Sequence, residues 1–333
     1  EAGTNITSGD NNVIIGTEAA QDTTTGFRNT VVGYRALHQN VVGSSNVALG
    51  YHAMLGVGGT SCNWNTAIGT QALEGITTGN DNTALGNMGL SDVTTGIYNV
   101  GLGKYAGRAI TTGSSNIAIG YAALFDATTT SGNTAVGDLS LYECTGSDNT
   151  TLGKHAGYGV TTGGSNTFIG HDAGGGTNGL TRFETGSNTM ALGHNATPSS
   201  QSVSNEITLG DSSISSLRCQ VQTISSLSDA RDKSDVETLP DATDFIKALN
   251  PVSFTWNQRD GGREGIEDHG FIAQELLTAQ EETGYNVPDL VSENNPDKLE
   301  AAYGRLLPSL VAVIQQQQQT IETLEARISA LES

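Results

Sequence analysis

The stretch NTALGNMGLSDVTTGIYNVGLGKYAGRAITTGSSNIAIG, residues 82–120, contains one five-residue pattern, Asn-x-x-apolar-Gly, three times at a constant spacing. The same pattern recurs about every 17 residues through the first two thirds of the chain. Its copies start at Asn12, Asn29, Asn46, Asn65, Asn82, Asn99, Asn116, Asn133, Asn149, Asn166 and, in the looser form NTMALG, Asn188. One such unit is too small to bury its own apolar face, so the period predicts a stacked repeat architecture.

Each unit is predicted to fold as strand, turn, second short strand and turn, which gives a parallel β-solenoid with one unit per coil. YRAL at 34–37 exemplifies the second segment. The glycine of each pentad supplies the positive φ of a tight corner, and each Asn is predicted to bond through its amide to the Asn of the next coil. The small middle residue should fill the coil interior, and the following Ile, Leu or Val should face outwards. An outward aliphatic stripe predicts self-association along the rod.

Over residues 12–193 the repeats resemble the β-roll heads of trimeric autotransporter adhesins and the repetitive shafts of phage tail fibres, which carry similar Asn-x-Ala-Ile-Gly units. This resemblance implies the architecture more strongly than the biological source.

Composition restricts the function classes. Among 333 residues, 43 are glycine and only 5% are aromatic, which favours a turn-rich repeat over an ordinary enzyme core. The formal net charge of −20 disfavours nucleic acid and anionic membranes as partners. The first ten residues, EAGTNITSGD, lack a signal-peptide pattern, and we expect them to continue a longer chain. Cys62, Cys144 and Cys219 are far apart and odd in number, and we interpret them as isolated structural thiols.

The repeat pattern ends near residue 210, where composition changes. We expect a repeat rod over 1–210, a junction over 211–227 and a second module over 228–333. In the module, DATDFIKAL predicts a helix starting near Asp241. PVSFTW at 251–256 alternates as a strand does, and a Gly-rich hairpin follows it.

A long helix is predicted from Leu306 onwards, with a coiled coil over 306–331. Apolar residues alternate at spacings of three and four, which is a heptad seam. The seam consists of Leu307, Leu310, Ile314, Gln317, Ile321, Leu324, Ile328 and Leu331. The Ile and Leu positions of the seam do not by themselves decide between a two-helix and a three-helix coiled coil. The polar Gln317 would help to fix the register of the helices.

Several ordered motifs then identify a family resemblance: SDARDK at 228–233, ALNPVSFTW at 248–256, GFIAQEL at 270–276 and AAYGRLLPSL at 301–310. Together they resemble the C-terminal intramolecular chaperone of endosialidases and of phage tail spikes and fibres, a self-cleaving serine peptidase module. The resemblance implies that the module trimerises, guides folding of the preceding fibre, and then cuts itself off before the serine of the SD motif. It assigns Ser228 as nucleophile, Lys233 as base and Leu227–Ser228 as the scissile bond.

The chemistry is consistent with these residue types. A serine hydroxyl needs a base, and a lysine can act as one only when desolvation or a positive neighbour leaves it neutral. Outside the family context, a Ser and a Lys five residues apart are usually surface residues. Arg231 is an accessory candidate that would depress the lysine pKa, with an ion pair to Asp229 as the alternative. His269 is a second accessory candidate, but we interpret it first as a packed or solvated histidine.

The expected fold class is therefore mainly β: a trimeric parallel β-solenoid of about 17-residue rungs, followed by a small α+β chaperone module ending in a trimeric coiled coil. The expected function is a virion tail fibre for host attachment, assembled in the host cytoplasm and matured by autoproteolysis. Expected partners are two further copies in a homotrimer, a host surface receptor such as a glycan or outer-surface protein, and other virion tail proteins. No cofactor or metal is predicted, and neither nucleic acid nor membrane insertion is expected. The alternatives are a bacterial surface adhesin head and a tail spike that degrades host polysaccharide.

Overall fold

The computed structural model describes residues 1–175, 182–214, 216–220, 228–257 and 264–332. They form two compact units, Glu1–Asp211 and Ser212–Ser333. Within these described ranges, no helix is long and apolar enough to span a membrane.

The first unit is a parallel β-solenoid built from twelve three-residue strands in a single sheet, ordered as in the chain. Neighbouring strands pair in register, as where Val100, Ile117 and Thr134 lie opposite one another. The predicted solenoid with coils of about 17 residues is confirmed. The strands are β1 Val13–Ile15, β2 Thr30–Val32, β3 Val47–Leu49, β4 Thr66–Ile68, β5 Thr83–Leu85, β6 Val100–Leu102, β7 Ile117–Ile119, β8 Thr134–Val136, β9 Thr150–Leu152, β10 Thr167–Ile169, β11 Met190–Leu192 and β12 Ile207–Leu209.

The prediction of a second short strand in each coil is wrong, because this segment is a succession of turns. In YRAL, Arg35 and Leu37 both have a φ of +51°. Ala36 and Leu37 are adjacent and both fully buried, which an extended strand would not allow. Alternate backbone amides of this segment donate hydrogen bonds to the preceding and to the following coil. Arg35 N donates to Thr17 O of the preceding coil, and Leu37 N donates to Ala53 O of the following coil.

The start of the eleventh unit also needs correction. Met190 lies opposite Thr167, so the residue equivalent to Asn166 is Thr189 rather than Asn188. The Thr189 amide donates to the Oδ1 of Asn166 at 3.0 Å. The sequence pattern placed the start of this unit one residue too early, because the coil between β10 and β11 is longer than the others and Asn188 directly precedes Thr189.

The predicted asparagine ladder runs through the solenoid. In a typical step, Asn99 N and Asn99 Nδ2 both donate to Asn82 Oδ1, at 3.0 and 3.1 Å. The corner glycines form a second ladder, because coils approach too closely there for a side chain. A Cβ on Gly86 (φ +135°) would lie 2.5 Å from the carbonyl oxygen of Gly103.

The solenoid core is narrow and rich in alanine. The middle residue of most strands is fully buried, as at Ala48, Ala84 and Ala118. The following aliphatic residue faces outwards, with Leu85 and Leu152 about half exposed in the single chain. The predicted division between interior and exterior positions is therefore correct.

The three cysteines are free thiols, but they differ in environment. Burial raises the pKa of Cys62 to about 12 and that of Cys144 to about 11. Both fit the prediction of structural thiols, whereas Cys219 is exposed and does not pack in a core.

The second unit is a small α+β module. Its elements are a 3-10 helix at Ala230–Asp232, α1 Thr243–Ala248, β13 Val252–Thr255, β14 Glu267–Gly270, α2 Ala273–Thr283, β15 Val291–Ser292, β16 Glu300–Ala301, a 3-10 helix at Tyr303–Leu306 and α3 Leu307–Glu332. β13 pairs antiparallel with β14, and β15 with β16. Phe245, Leu276, Ala279, Val287, Leu290 and Leu306 form its buried core. The predicted helix near Asp241 and the long C-terminal helix are present.

Candidate functional site

The site begins at Ser228, the first residue of the predicted chaperone module. Asp229 accepts a hydrogen bond from the amide of Arg231 at 2.9 Å and so caps the 3-10 helix Ala230–Asp232. This single tight turn folds the chain back on itself. As a result, Lys233 Nζ lies 2.7 Å from Ser228 Oγ and donates a hydrogen bond to it.

Arg231 pairs with Asp229 rather than with the lysine. Its Nε lies 3.0 Å from Asp229 Oδ1 and its Nη2 lies 2.6 Å from Asp229 Oδ2. The two-point hydrogen bond with Arg231 lowers the pKa of the Asp229 carboxyl and raises that of the Arg231 guanidinium. The geometry therefore supports the ion-pair alternative, in which Arg231 stabilises the turn that brings Ser228 and Lys233 together.

Both Ser228 and Lys233 are exposed in the single chain. Leu227, on the other side of the predicted scissile bond, lies outside the described residues. A lysine must be neutral to accept a proton from serine, and neutrality requires desolvation or a positive neighbour. The described residues of one chain bring Ser228 Oγ and Lys233 Nζ into contact, but they do not bury the lysine.

His269 lies on β14 and is exposed. Its amide donates to Asp268 Oδ1 at 2.8 Å. Among the residues that the structure describes, no hydrogen bond joins its ring to Ser228 or Lys233, so the geometry favours a solvated histidine.

The last helix, α3, has two different faces. One face packs on the module: Ser309 and Val313 are buried, and Tyr285 OH lies 3.1 Å from Ser309 Oγ. An adjacent face, about 100° round the helix, carries the heptad seam. Its apolar members are exposed in the single chain, from 37% at Leu310 to 86% at Leu331.

Sequence reasoning did not single out Tyr303, which connects β14 to the start of α3. Its hydroxyl donates to Phe271 O at 3.0 Å and accepts from Phe271 N at 3.2 Å. It lines an open groove of about 950 Å³ with Phe254, Trp256 and Phe271. The tyrosine in AAYGRLLPSL was visible, but no periodicity or spacing relates it to residue 271.

Comparison with known proteins bears on this module alone. Residues 228–285 match the model of a peptidase family described as the chaperone of endosialidase. The match begins at Ser228 itself and covers the turn to Lys233, α1, the β13–β14 hairpin and α2. No curated protein and no solved structure matches the chain. A β-solenoid followed by an endosialidase-type chaperone region is consistent with a tail fibre or spike, and the family supports a self-cleaving peptidase module in general terms.

Proposed function

We propose that the chain is the distal part of a phage tail fibre or spike, an attachment protein of the virion. Its C-terminal module promotes trimerisation and folding, and then releases itself by cutting Leu227–Ser228. The observation that carries this proposal is the 2.7 Å contact between Ser228 Oγ and Lys233 Nζ, at the first residue of the family match. A nucleophile and a base in hydrogen-bond contact are the geometric signature of nucleophilic catalysis.

The reaction follows from a serine that directly succeeds the scissile bond. Neutral Lys233 takes the proton from Ser228 Oγ, which attacks the carbonyl carbon of Leu227. The carbon–nitrogen bond breaks as the protonated lysine gives its proton to the departing Ser228 amine, leaving an ester between Leu227 and Ser228 Oγ. Water then hydrolyses the ester, which frees the Leu227 carboxylate and restores the serine hydroxyl. Ser–Lys pairs are a recognised variant of the catalytic triad.

Cleavage follows assembly in this proposal. The described residues of one chain leave Ser228 and Lys233 exposed, and in this proposal a further chain supplies the desolvation that makes Lys233 neutral. Two apolar surfaces favour association: the α3 seam and the outward aliphatic stripe of the solenoid. A trimer would bury both and give the module its protected environment.

A module that trimerises first would help the solenoid rod to fold in the correct register. Its coils are nearly identical, so pairing between chains can slip by one coil and folding is dominated by register search. A trimerised module fixes the register at one end. Its later removal leaves the rod without an easy route to unfold and refold, which makes the fibre kinetically stable.

The test compares the wild-type chain with Ser228→Ala and Lys233→Ala on a denaturing gel, with N-terminal sequencing of each fragment. Lys247→Ala is the matched control, because Lys247 is an exposed lysine of the same module that lies 3.7 Å from Asp244. We expect a fragment that begins at Ser228 from the wild type and the control. Both site variants should stay intact yet fold, with cleavage at least about 100-fold slower for Lys233→Ala because the base is lost. Undiminished cleavage in either site variant would contradict the proposed dyad.

A further inference from the structure

The last coils of the solenoid bring together a histidine and aspartate cluster that no part of the proposed function uses. His155 and Asp172 occupy the second position after the corner glycine in successive coils, and His171 occupies the first. His155 Nδ1 lies 3.0 Å from Asp172 Oδ1, and His171 Nδ1 lies 3.3 Å from Asp172 Oδ2. One ligand atom from each of the three residues lies within 4.8 Å of those of the other two.

We propose that His155, His171 and Asp172 form a binding site for a divalent transition-metal ion of the zinc class. Two imidazoles and a carboxylate are a common donor set for zinc, and imidazole also suits nickel and copper. Tetrahedral zinc with ligand bonds of about 2.0–2.1 Å holds neighbouring ligand atoms about 3.4 Å apart. The two measured His–Asp distances, one to each carboxylate oxygen, are close to that edge length, and the upper limit of 4.8 Å on the spacing of the three ligand atoms means that the side chains would close up around the ion.

The burial pattern supports a cation at this place. The Asp172 side chain is fully buried, and a buried carboxylate is costly unless positive charge or hydrogen bonds compensate it. A divalent ion between the carboxylate and the imidazoles would add positive charge to the hydrogen bonding that Asp172 already has. The His155 side chain is 12% exposed and that of His171 is 43% exposed, so the cluster reaches the outer surface through His171.

A second observation comes from the following coil. Asn195 occupies the position equivalent to Asp172 there, since its amide donates to His171 O as that of Asp172 donates to Lys154 O. Within the part of the chain that the structure describes, the buried Asn195 Oδ1 accepts no hydrogen bond. An amide oxygen without a donor is suited to face a cation, and coils lie only about 4.8 Å apart.

A metal at this site would connect the corners that follow β9 and β10. The next step, from Thr167 to Met190, is the longest in the ladder and departs from the regular repeat. The ion would therefore stabilise the solenoid where its sequence regularity is weakest.

The test uses the purified protein as expressed, without a polyhistidine tag, stripped with EDTA and titrated with zinc chloride by calorimetry. We expect one zinc ion per wild-type chain. His171→Ala should lower the affinity more than tenfold, since even outer-shell partners of a metal contribute about 10–100-fold. The control is His52→Ala, which removes a histidine that lies 3.2 Å from Glu74 in an earlier coil, where no second histidine among the described residues joins the pair. It should bind zinc as the wild type does.

Two further measurements keep the test decisive. Circular dichroism checks that each variant is folded, and zinc should raise the melting temperature of the wild type and of His52→Ala but not of His171→Ala. Asp172→Asn, which keeps the side-chain shape, should also lose zinc. Absence of zinc binding by the wild type, or equal binding by folded His171→Ala, would overturn the proposal and leave a purely hydrogen-bonded His–Asp–His cluster.

Discussion

At the scale of single residues, the solenoid depends on buried asparagine side chains that bond to their counterparts in neighbouring coils and to backbone carbonyls. Asn82 illustrates this: its Oδ1 accepts from Asn99 N, and its Nδ2 donates to Gly96 O at 2.9 Å. The ladder was predictable because an identical polar residue at a fixed period lies next to its own copies in a stacked repeat and can hydrogen-bond to them. The left-handed turns at Arg35 and Leu37 could not be predicted from the sequence, because neither residue type ordinarily favours a positive φ.

Asn82→Ala should lower the free energy of unfolding by at least about 2 kcal/mol, because it leaves the buried Asn99 amide and Gly96 carbonyl without partners. Asn87→Ala is the control, since the Asn87 side chain donates one exposed hydrogen bond, to Thr70 O at 3.3 Å, and its loss should cost less than about 0.5 kcal/mol. Urea unfolding of both variants in the uncleaved Ser228→Ala chain measures the difference. Equal unfolding midpoints would show that the ladder does not stabilise the rod.

At the scale of elements, α3 combines a face that packs on its own module with a seam that is exposed in one chain. Its periodicity and length were readable from the sequence because a heptad repeat is a local pattern. The turn that joins Ser228 to Lys233 was not readable in the same way. Its geometry depends on the Asp229 cap and the Arg231 ion pair, and the sequence left open whether Arg231 pairs with the aspartate or acts on the lysine.

Replacing Leu324 and Ile328 together with Asp should abolish soluble assembly, because two charges per chain would enter an apolar seam. The control places the same two charges at Gln319 and Ala326, which lie on the outer side of the heptad. It should assemble as the wild type does. Sedimentation equilibrium reports the outcome, and normal assembly of the seam variant would show that α3 does not hold the chains together.

At the scale of the whole molecule, the sequence predicted both architectures, the repeat rod and the endosialidase-type module, because each contains recognisable local motifs in a fixed order. The sequence analysis did not predict the His155–His171–Asp172 cluster. Those residues come together through the stacking of coils: His155 and Asp172 are 17 positions apart, at equivalent places in successive coils, but neither residue type recurs along the repeat as the asparagines do. The same stacking makes the solenoid dependent on correct register, which is the physical reason for the folding role proposed for the second unit.

Native mass spectrometry of freshly expressed wild-type chain tests the central claim most directly, because it measures assembly and cleavage together. The account predicts a trimeric species whose chains end at Leu227, and a separate module that begins at Ser228. An intact monomer at the 34.5 kDa mass of the single chain, with native secondary structure, would contradict it.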